Sequence, residues 1–348
     1  MRTPLYDEHI KLNGNMVDFH GWDMPLYYDS IIAEHNFVRN GCGMFDVSHM
    51  GDIFIEGEGA LKTLQYLLPT DVEKIKANDC IYTAFLNEEG NMIDDTIIYK
   101  FSNEKFLCVP NAATKDIIMN HMVKNNKYNA KIIDRSDELG CIAVQGPLSQ
   151  EVMEENGFSF PEFFKFYEKD SIIISGTGYT GERGCEIIAP NKNLIEIWKI
   201  LLNSLKKRGF GPCGLGSRDT LRMEKGMLLS GQDFNSDRTP YEASISFIVN
   251  SEKEYIGKNE LMKKTKPEFV FRGFISNDEK TIPRHSCNIV KDGNIIGNVT
   301  SGTISPTLKR GIALGYVQKV YSKQGNNVKI IVRNSSHDFI VSKARMVP

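Results

Sequence analysis

The sequence has little with which to build a cross-linked or metal-held site. Its seven cysteines (Cys42, Cys80, Cys108, Cys141, Cys185, Cys213 and Cys287) are scattered singly, with no C-x-x-C pair. An odd, dispersed set argues for reduced thiols in a cytosolic protein and against a disulfide framework or a zinc site. The histidines show neither H-x-x-x-H nor H-E-x-x-H spacing, so the chemistry is expected to be metal-free. No apolar run approaches the ~18 residues of a membrane span. A net charge of −2 leaves no bulk attraction for nucleic acid or an anionic membrane. The opening MRTPLYDEHIKLNGN lacks the apolar stretch of a signal peptide, and the expected location is cytoplasmic. With 41% apolar and 25% charged residues, the 348-residue chain still has ample material for a sizeable core.

What is present includes a literal G-x-G-x-x-G, in SGTGYTGERGCEI from Ser175 to Ile187. A dinucleotide site needs a strand before the glycines and a helix starting within them. Ser171 to Ile174 reads as the strand, but Cys185-Glu186-Ile187-Ile188 is a second β-rich run closed by Pro190. Without a helix N-terminus no dipole faces a pyrophosphate, so the stretch reads as a glycine-rich connection between strands.

Helical periodicity marks Ser30 to Asn40, Gly59 to Leu68, Asn111 to Asn125 with Asn111 as its cap, and Asn191 to Arg208 with basic residues in its last turn. Strands are expected at Gly51–Glu56, Asp79–Leu86, Met92–Tyr99, Lys105–Val109 and Gly140–Val144, without steady β-α alternation. The fold class is therefore α+β. From about Phe269 short β-rich runs alternate with turn signals, among them Asp292-Gly293, and predict an all-β barrel or sandwich.

Candidate chemistry starts with NMIDDTIIYK, Asn91 to Lys100, where two carboxylates interrupt an apolar strand. Alternation puts Asp94 and Asp95 on opposite faces, Asp95 with Ile93, Ile97 and Tyr99. A carboxylate on an apolar face is costly unless paired or needed. The other reading makes one aspartate a solvated or turn-satisfying residue near Glu88-Glu89-Gly90. Glu186, in its short apolar strand, suits a heterocycle that offers adjacent ring N–H and amino donors, or else faces water from an edge strand. Arg218 and Arg222 share a helical face, either solvated and paired with Asp219 or Glu224, or with one arginine reaching an anionic ligand. His49, in DVSHMG, has no neighbouring nucleophile or acid for a triad and reads as a hydrogen-bonded structural histidine.

Taken in order, TPLYDEHIKLNGNMVDFHGWDMPLYYDSIIAEH, GMFDVSHMG, YTAFLNEEGNMIDDTIIY, GYTGERGCEI, GLGSRDTLRMEKGM, GQDF, IPRHS and IGNVTSGTISPTLKRGIALGYV resemble the aminomethyltransferase family, the T-proteins of the glycine cleavage system. The likeness covers nearly the whole chain. It implies a three-lobed ring of two α+β lobes and a C-terminal β-barrel. Residues 1–265 would form the folate-binding region, with a lobe inserted at about 52–138, and residues 266–348 the barrel. It also implies tetrahydrofolate as co-substrate and the lipoylated H-protein as partner. By the same likeness Asp95 is catalytic, Glu186 holds the pterin, Arg218 contacts ligand, Tyr82, Asn111 and Tyr99 line the folate cavity, and Met50 lies against the ring system. Two relatives on the same scaffold stand beside this reading. One is a folate-dependent one-carbon demethylase or oxidase domain; the other is a folate-binding protein of iron–sulfur maintenance. The latter carries a cysteine in K-G-C-Y-x-G-Q-E, where this chain has Met227, which counts against it.

Overall fold

The computed structural model describes residues 1–279 and 281–348. The chain forms two compact units, one of Met1–Phe85 with Asp94–Arg218, the other of Leu86–Ile93 with Asp219–Pro348.

The first unit holds a six-stranded sheet in the order Phe166–Lys169, Ile172–Ser175, Gly184–Pro190, Leu139–Gln145, Gly43–Asp46, Gly211–Pro212. All neighbours are antiparallel except the last pair. The helix Asn191–Lys207 lays Leu194, Ile197, Trp198, Leu201, Leu202 and Leu205 into the core beneath this sheet. Those positions recur every three or four residues, the spacing that gives a helix one apolar stripe. Pro190 occupies the cap position of this helix, and the Asn191 side-chain amide donates to the carbonyl of Asp137 at 2.8 Å. Between strands Gly43–Asp46 and Leu139–Gln145 the chain passes through a second, five-stranded sheet, ordered Asp79–Leu86, Met92–Ser102, Lys105–Pro110, Ile53–Glu56, Lys131–Asp134. The tip of its first hairpin, Leu86–Ile93, groups with the second unit.

The second unit closes a barrel from six strands, Phe269–Ser276, Arg310–Gln318, Asn294–Ser305, Asn288–Lys291, Asn327–Val332 and Ser335–Ser342. Closure leaves no free edge. The interior is filled by alternate residues, Phe274, Val299, Ala313, Val317, Ile330, Phe339 and Val341 among them. The Asp292-Gly293 turn has φ of 49° and 80°, the two positive values that a tight hairpin requires. The α+β class and the C-terminal barrel expected from the sequence are both present.

Candidate active site

The glycine-rich stretch joins two antiparallel strands, Ile172–Ser175 and Gly184–Pro190, paired Ser175 to Glu186. What needs Gly178 and Gly184 is Gln145. Its side chain is fully buried under the loop, donating from Nε2 to the carbonyls of Thr177 (3.1 Å) and Cys185 (3.3 Å) and accepting from Thr180 Oγ1 (2.8 Å). A Cβ on Gly178 or Gly184 would come within 2.1 and 2.4 Å of that amide. The loop is thus held by an amide packed flat against its backbone, and Arg39 pins its far side through Thr180 O and Glu182, both at 2.8 Å.

The loop's end positions Glu186. Its Oε2 accepts from Thr177 Oγ1 at 2.5 Å; Thr177 Oγ1 meets Ser175 Oγ at 2.7 Å, which meets the Tyr99 hydroxyl at 3.0 Å. Each hydroxyl has one proton. With a carboxylate at the end, Thr177 donates to Glu186, Ser175 to Thr177, and Tyr99 to Ser175. Three hydroxyls therefore point their dipoles down one line at Glu186. Tyr99 is fully buried and sits four residues after Asp95 on the same face of strand Met92–Ser102, so the line runs from the strand that carries one carboxylate to the other.

Both aspartates are buried, Asp94 fully and Asp95 to 9% exposure, which removes the reading of a solvated or turn-satisfying aspartate. Alternation along the strand put them on opposite faces and missed what joins them. Asn111 follows the end of strand Lys105–Pro110, whose Pro110 pairs with Thr96, and so lies at the edge where both faces can be reached. Its backbone N–H donates to Asp94 Oδ2 (2.9 Å), and its Nδ2 lies 2.8 Å from Asp94 Oδ1 and 3.0 Å from both Asp95 Oδ1 and the Asp95 carbonyl. Asn111 is consequently not a helix cap. The helix that follows is Lys115–Lys124, with Thr114 at its cap position.

Asp95 Oδ2 accepts from the Tyr82 hydroxyl at 2.7 Å. Burial, and then the Asp94 charge beside it, raise the Asp95 carboxyl to about 7, against the lowering by Tyr82 and Asn111. Asp95 thus sits where a proton-transfer group works best near neutral pH. The Tyr82 hydroxyl is pushed up in turn, by burial and then by Asp95.

Arg218 and Arg222 divide sharply, and neither lies on a solvated face. The Arg218 guanidinium stacks over the Tyr179 ring, 4.6 Å from its centroid, and its Nη1 is buried without a hydrogen-bond partner. Burial lowers its pKa, and the Glu186 charge opposes that most strongly. Arg222 is fully satisfied: Nε donates to Asp219 (2.8 Å), Nη1 to Asp233 (2.7 Å) and the Met227 carbonyl (3.1 Å), Nη2 to Ser301 (2.9 Å). Met50 is half-buried on a turn whose next residue, Gly51, donates its N–H to the Pro110 carbonyl at 3.0 Å, just before Asn111. His49 is not hydrogen-bonded through Nδ1, contrary to its structural reading.

Sequence reasoning missed Asp94 as the anchor of Asn111, Ser175 and Thr177 as the carriers of Glu186, and Tyr179 as the plate under Arg218. Only the position of Tyr179 inside the glycine loop was a signal for any of them. Among the described residues, no group of three or more His, Cys, Asp or Glu is placed to hold a metal ion, and no helix is long and apolar enough to cross a membrane.

A buried carboxylate poised near neutrality, a second one oriented by hydroxyls and an unpaired guanidinium define a site for a polar organic ligand with adjacent donors. Family comparison makes the class specific. The GCVT N-terminal domain matches residues 5–253, and the glycine cleavage T-protein C-terminal barrel domain matches residues 270–347. The chain belongs to the aminomethyltransferase family, the T-proteins of the glycine cleavage system, as its motifs implied. It is 41% identical over 346 residues to an aminomethyltransferase of Thermoanaerobacter pseudethanolicus, covering 96% of this chain and 94% of that one. It is 39% identical over 343 residues to one of Halothermothrix orenii, covering 96% of each. The crystal structure of the glycine cleavage system aminomethyltransferase T from Bartonella henselae superposes with a TM-score of 0.94 at 29% identity, over 100% of this chain and 98% of that one.

Proposed function

We propose that this aminomethyltransferase takes its carbon from an aminomethyl group held through sulfur on the lipoyl arm of an H-protein and delivers it to tetrahydrofolate. The carbon–sulfur and carbon–nitrogen bonds break, and two bonds to folate nitrogens form. The two protons those nitrogens lose go to the sulfur and to the departing ammonia, so no oxidant is needed. Tetrahydrofolate supplies the accepting nitrogens; the chain supplies placement and charge.

The observation that carries this reading is the linkage of Glu186 to the Asp95 strand through Thr177, Ser175 and Tyr99. Glu186 accepts the adjacent N–H and amino donors of a pterin, with its carboxylate held in one orientation by Thr177. Asp95 stabilises the positive charge that develops on the transferred carbon, and orients or deprotonates the attacking nitrogen. Tyr82 and Asn111 fix the Asp95 carboxylate, Arg218 contacts ligand through its unpartnered nitrogen, Tyr99 lines the cavity, and Met50 covers the ring. Fixing two folate nitrogens against the carbon supplies much of the rate, because orientation replaces a search among encounters. The same reading divides the chain at about residue 265, with a lobe inserted over about 52–138. It places the enzyme in the cytoplasm.

The test is product analysis with aminomethylated H-protein and tetrahydrofolate. Methylene-tetrahydrofolate and ammonia should appear in equal amounts. If neither forms while an N-methyl amine is demethylated in the presence of folate, the one-carbon demethylase reading replaces this one.

A further inference from the structure

His49 follows strand Gly43–Asp46, 5% exposed, with Nδ1 buried and unpartnered. Phe19 meets its ring edge-on, centroids 5.6 Å apart. The turn that carries it is clamped without the imidazole. On the near side Asp46 Oδ1 accepts the Ser48 N–H at 2.9 Å, and Asp46 Oδ2 is held by His9 Nε2 (2.8 Å) and Thr3 Oγ1 (2.6 Å). The Ser48 hydroxyl accepts the Cys141 N–H at 3.0 Å, and on the far side Gly51 bonds Pro110. The ring is therefore not needed to shape its own turn.

A buried polar atom without a partner is uncommon, because it has given up water for nothing. His49 Nδ1 and Arg218 Nη1 are among the buried side-chain atoms that lack one, and the Arg218 charge lowers the His49 pKa. Burial first, then Arg218, hold the imidazole at about 4, so it is neutral at neutral pH. A neutral ring offers a hydrogen bond without adding a second cation beside Arg218.

We propose that His49 is a ligand-contacting residue, whose Nδ1 works with Arg218 Nη1 to hold a polar heteroatom of the bound acceptor's ring system. The inference rests on the folate reading of this site and extends its contacts to a residue of the DVSHMG turn.

The test compares His49→Leu, His49→Asn and His49→Gln by tetrahydrofolate titration and by thermal unfolding without ligand. Leucine removes no hydrogen bond of the free protein, so its ligand-free Tm should equal or exceed that of the parent. Its dissociation constant should rise roughly tenfold, the upper end for one neutral hydrogen bond. Asparagine, whose amide falls near the Nδ1 position, should recover most of that affinity; glutamine, which reaches the Nε2 position, should not. Parent-like binding by the leucine variant would overturn the proposal while the folate reading stands. So would a lowered ligand-free Tm with no recovery by asparagine, since the ring would then only pack against Phe19. A parent protein without measurable affinity for tetrahydrofolate would sink both readings together.

Discussion

Two buried polar clusters, one in each unit, are made of similar residues and arranged to opposite ends. In the second unit Asp233 accepts four hydrogen bonds, from Arg222, the Leu229 N–H, Thr300 and Ser301, and Glu224 is bonded to Ser305 and Thr307. In the first unit Arg218 and His49 each keep a buried atom unbonded, and Asp95 stands beside a second carboxylate that raises its pKa. A saturated cluster has nothing left to offer a ligand and serves the fold. An unsaturated one costs stability until something binds, which is how sites differ from cores.

The largest expected effect breaks the saturated cluster. Arg222→Met strands Asp233 as an uncompensated buried charge, which should cost about 3–5 kcal/mol in chemical unfolding. Arg218→Met, four residues earlier, should leave stability unchanged or improved while weakening tetrahydrofolate binding. If the two variants unfold alike, the division between the clusters is wrong.

Next comes Asp95→Asn, which keeps shape but removes the charge. Aminomethyl transfer should fall roughly 10²-fold or more, about 2.7 kcal/mol of barrier, with folate affinity little changed. Near-normal turnover would move the chemistry off this strand.

Glu186→Gln brings an amide N–H₂ against the ligand's own donors and should cost about 2 kcal/mol of folate affinity, read by calorimetry, with folding intact. Asp94→Asn should act less and in two ways. It disturbs Asn111 and so costs about 1 kcal/mol of stability, and it also lowers turnover, because Asn111 touches both aspartates. A pure stability effect would show that Asn111 does not couple them.

The last comparison is in pH. Asp95 rises from 3.8 in the unfolded chain to about 7, so the folded state binds the proton more tightly. Its stabilising contribution is fully present below about pH 4 and is lost as pH rises through about 7. Across that window the parent should lose Tm that Asp95→Asn retains. Parallel Tm profiles would show that Asp95 is ionised throughout.

Much of the site was legible because its residues violate local pattern. Two carboxylates inside a β-branched strand, and a glutamate in an apolar one, carry a cost that composition cannot explain, and motif order supplied their roles. The Arg218–Arg222 pair was legible only as a pair. Four residues apart on one helix, they have the same local sequence signal, and burial partners at Asp233 and Ser301, 11 and 79 positions away from Arg222, decide which is satisfied. Asn111 looked like a cap for the same reason: an asparagine ahead of a helical run meets the local rule, while its actual acceptors lie 16 and 17 residues back.

By itself the sequence determined the α+β class, the β-rich C-terminal region with its Asp292-Gly293 turn, the failure of GTGYTG as a nucleotide loop, and the family. These follow from periodicity, turn chemistry and motif order, all carried by neighbours along the chain. Only tertiary structure decided that Gln145 is what Gly178 and Gly184 accommodate, that three hydroxyls aim at Glu186, and that Asp94 and Asp95 share one amide. The reason is physical: hydrogen bonds and desolvation are set by which groups meet in space, and here the partners stand tens of residues apart along the chain.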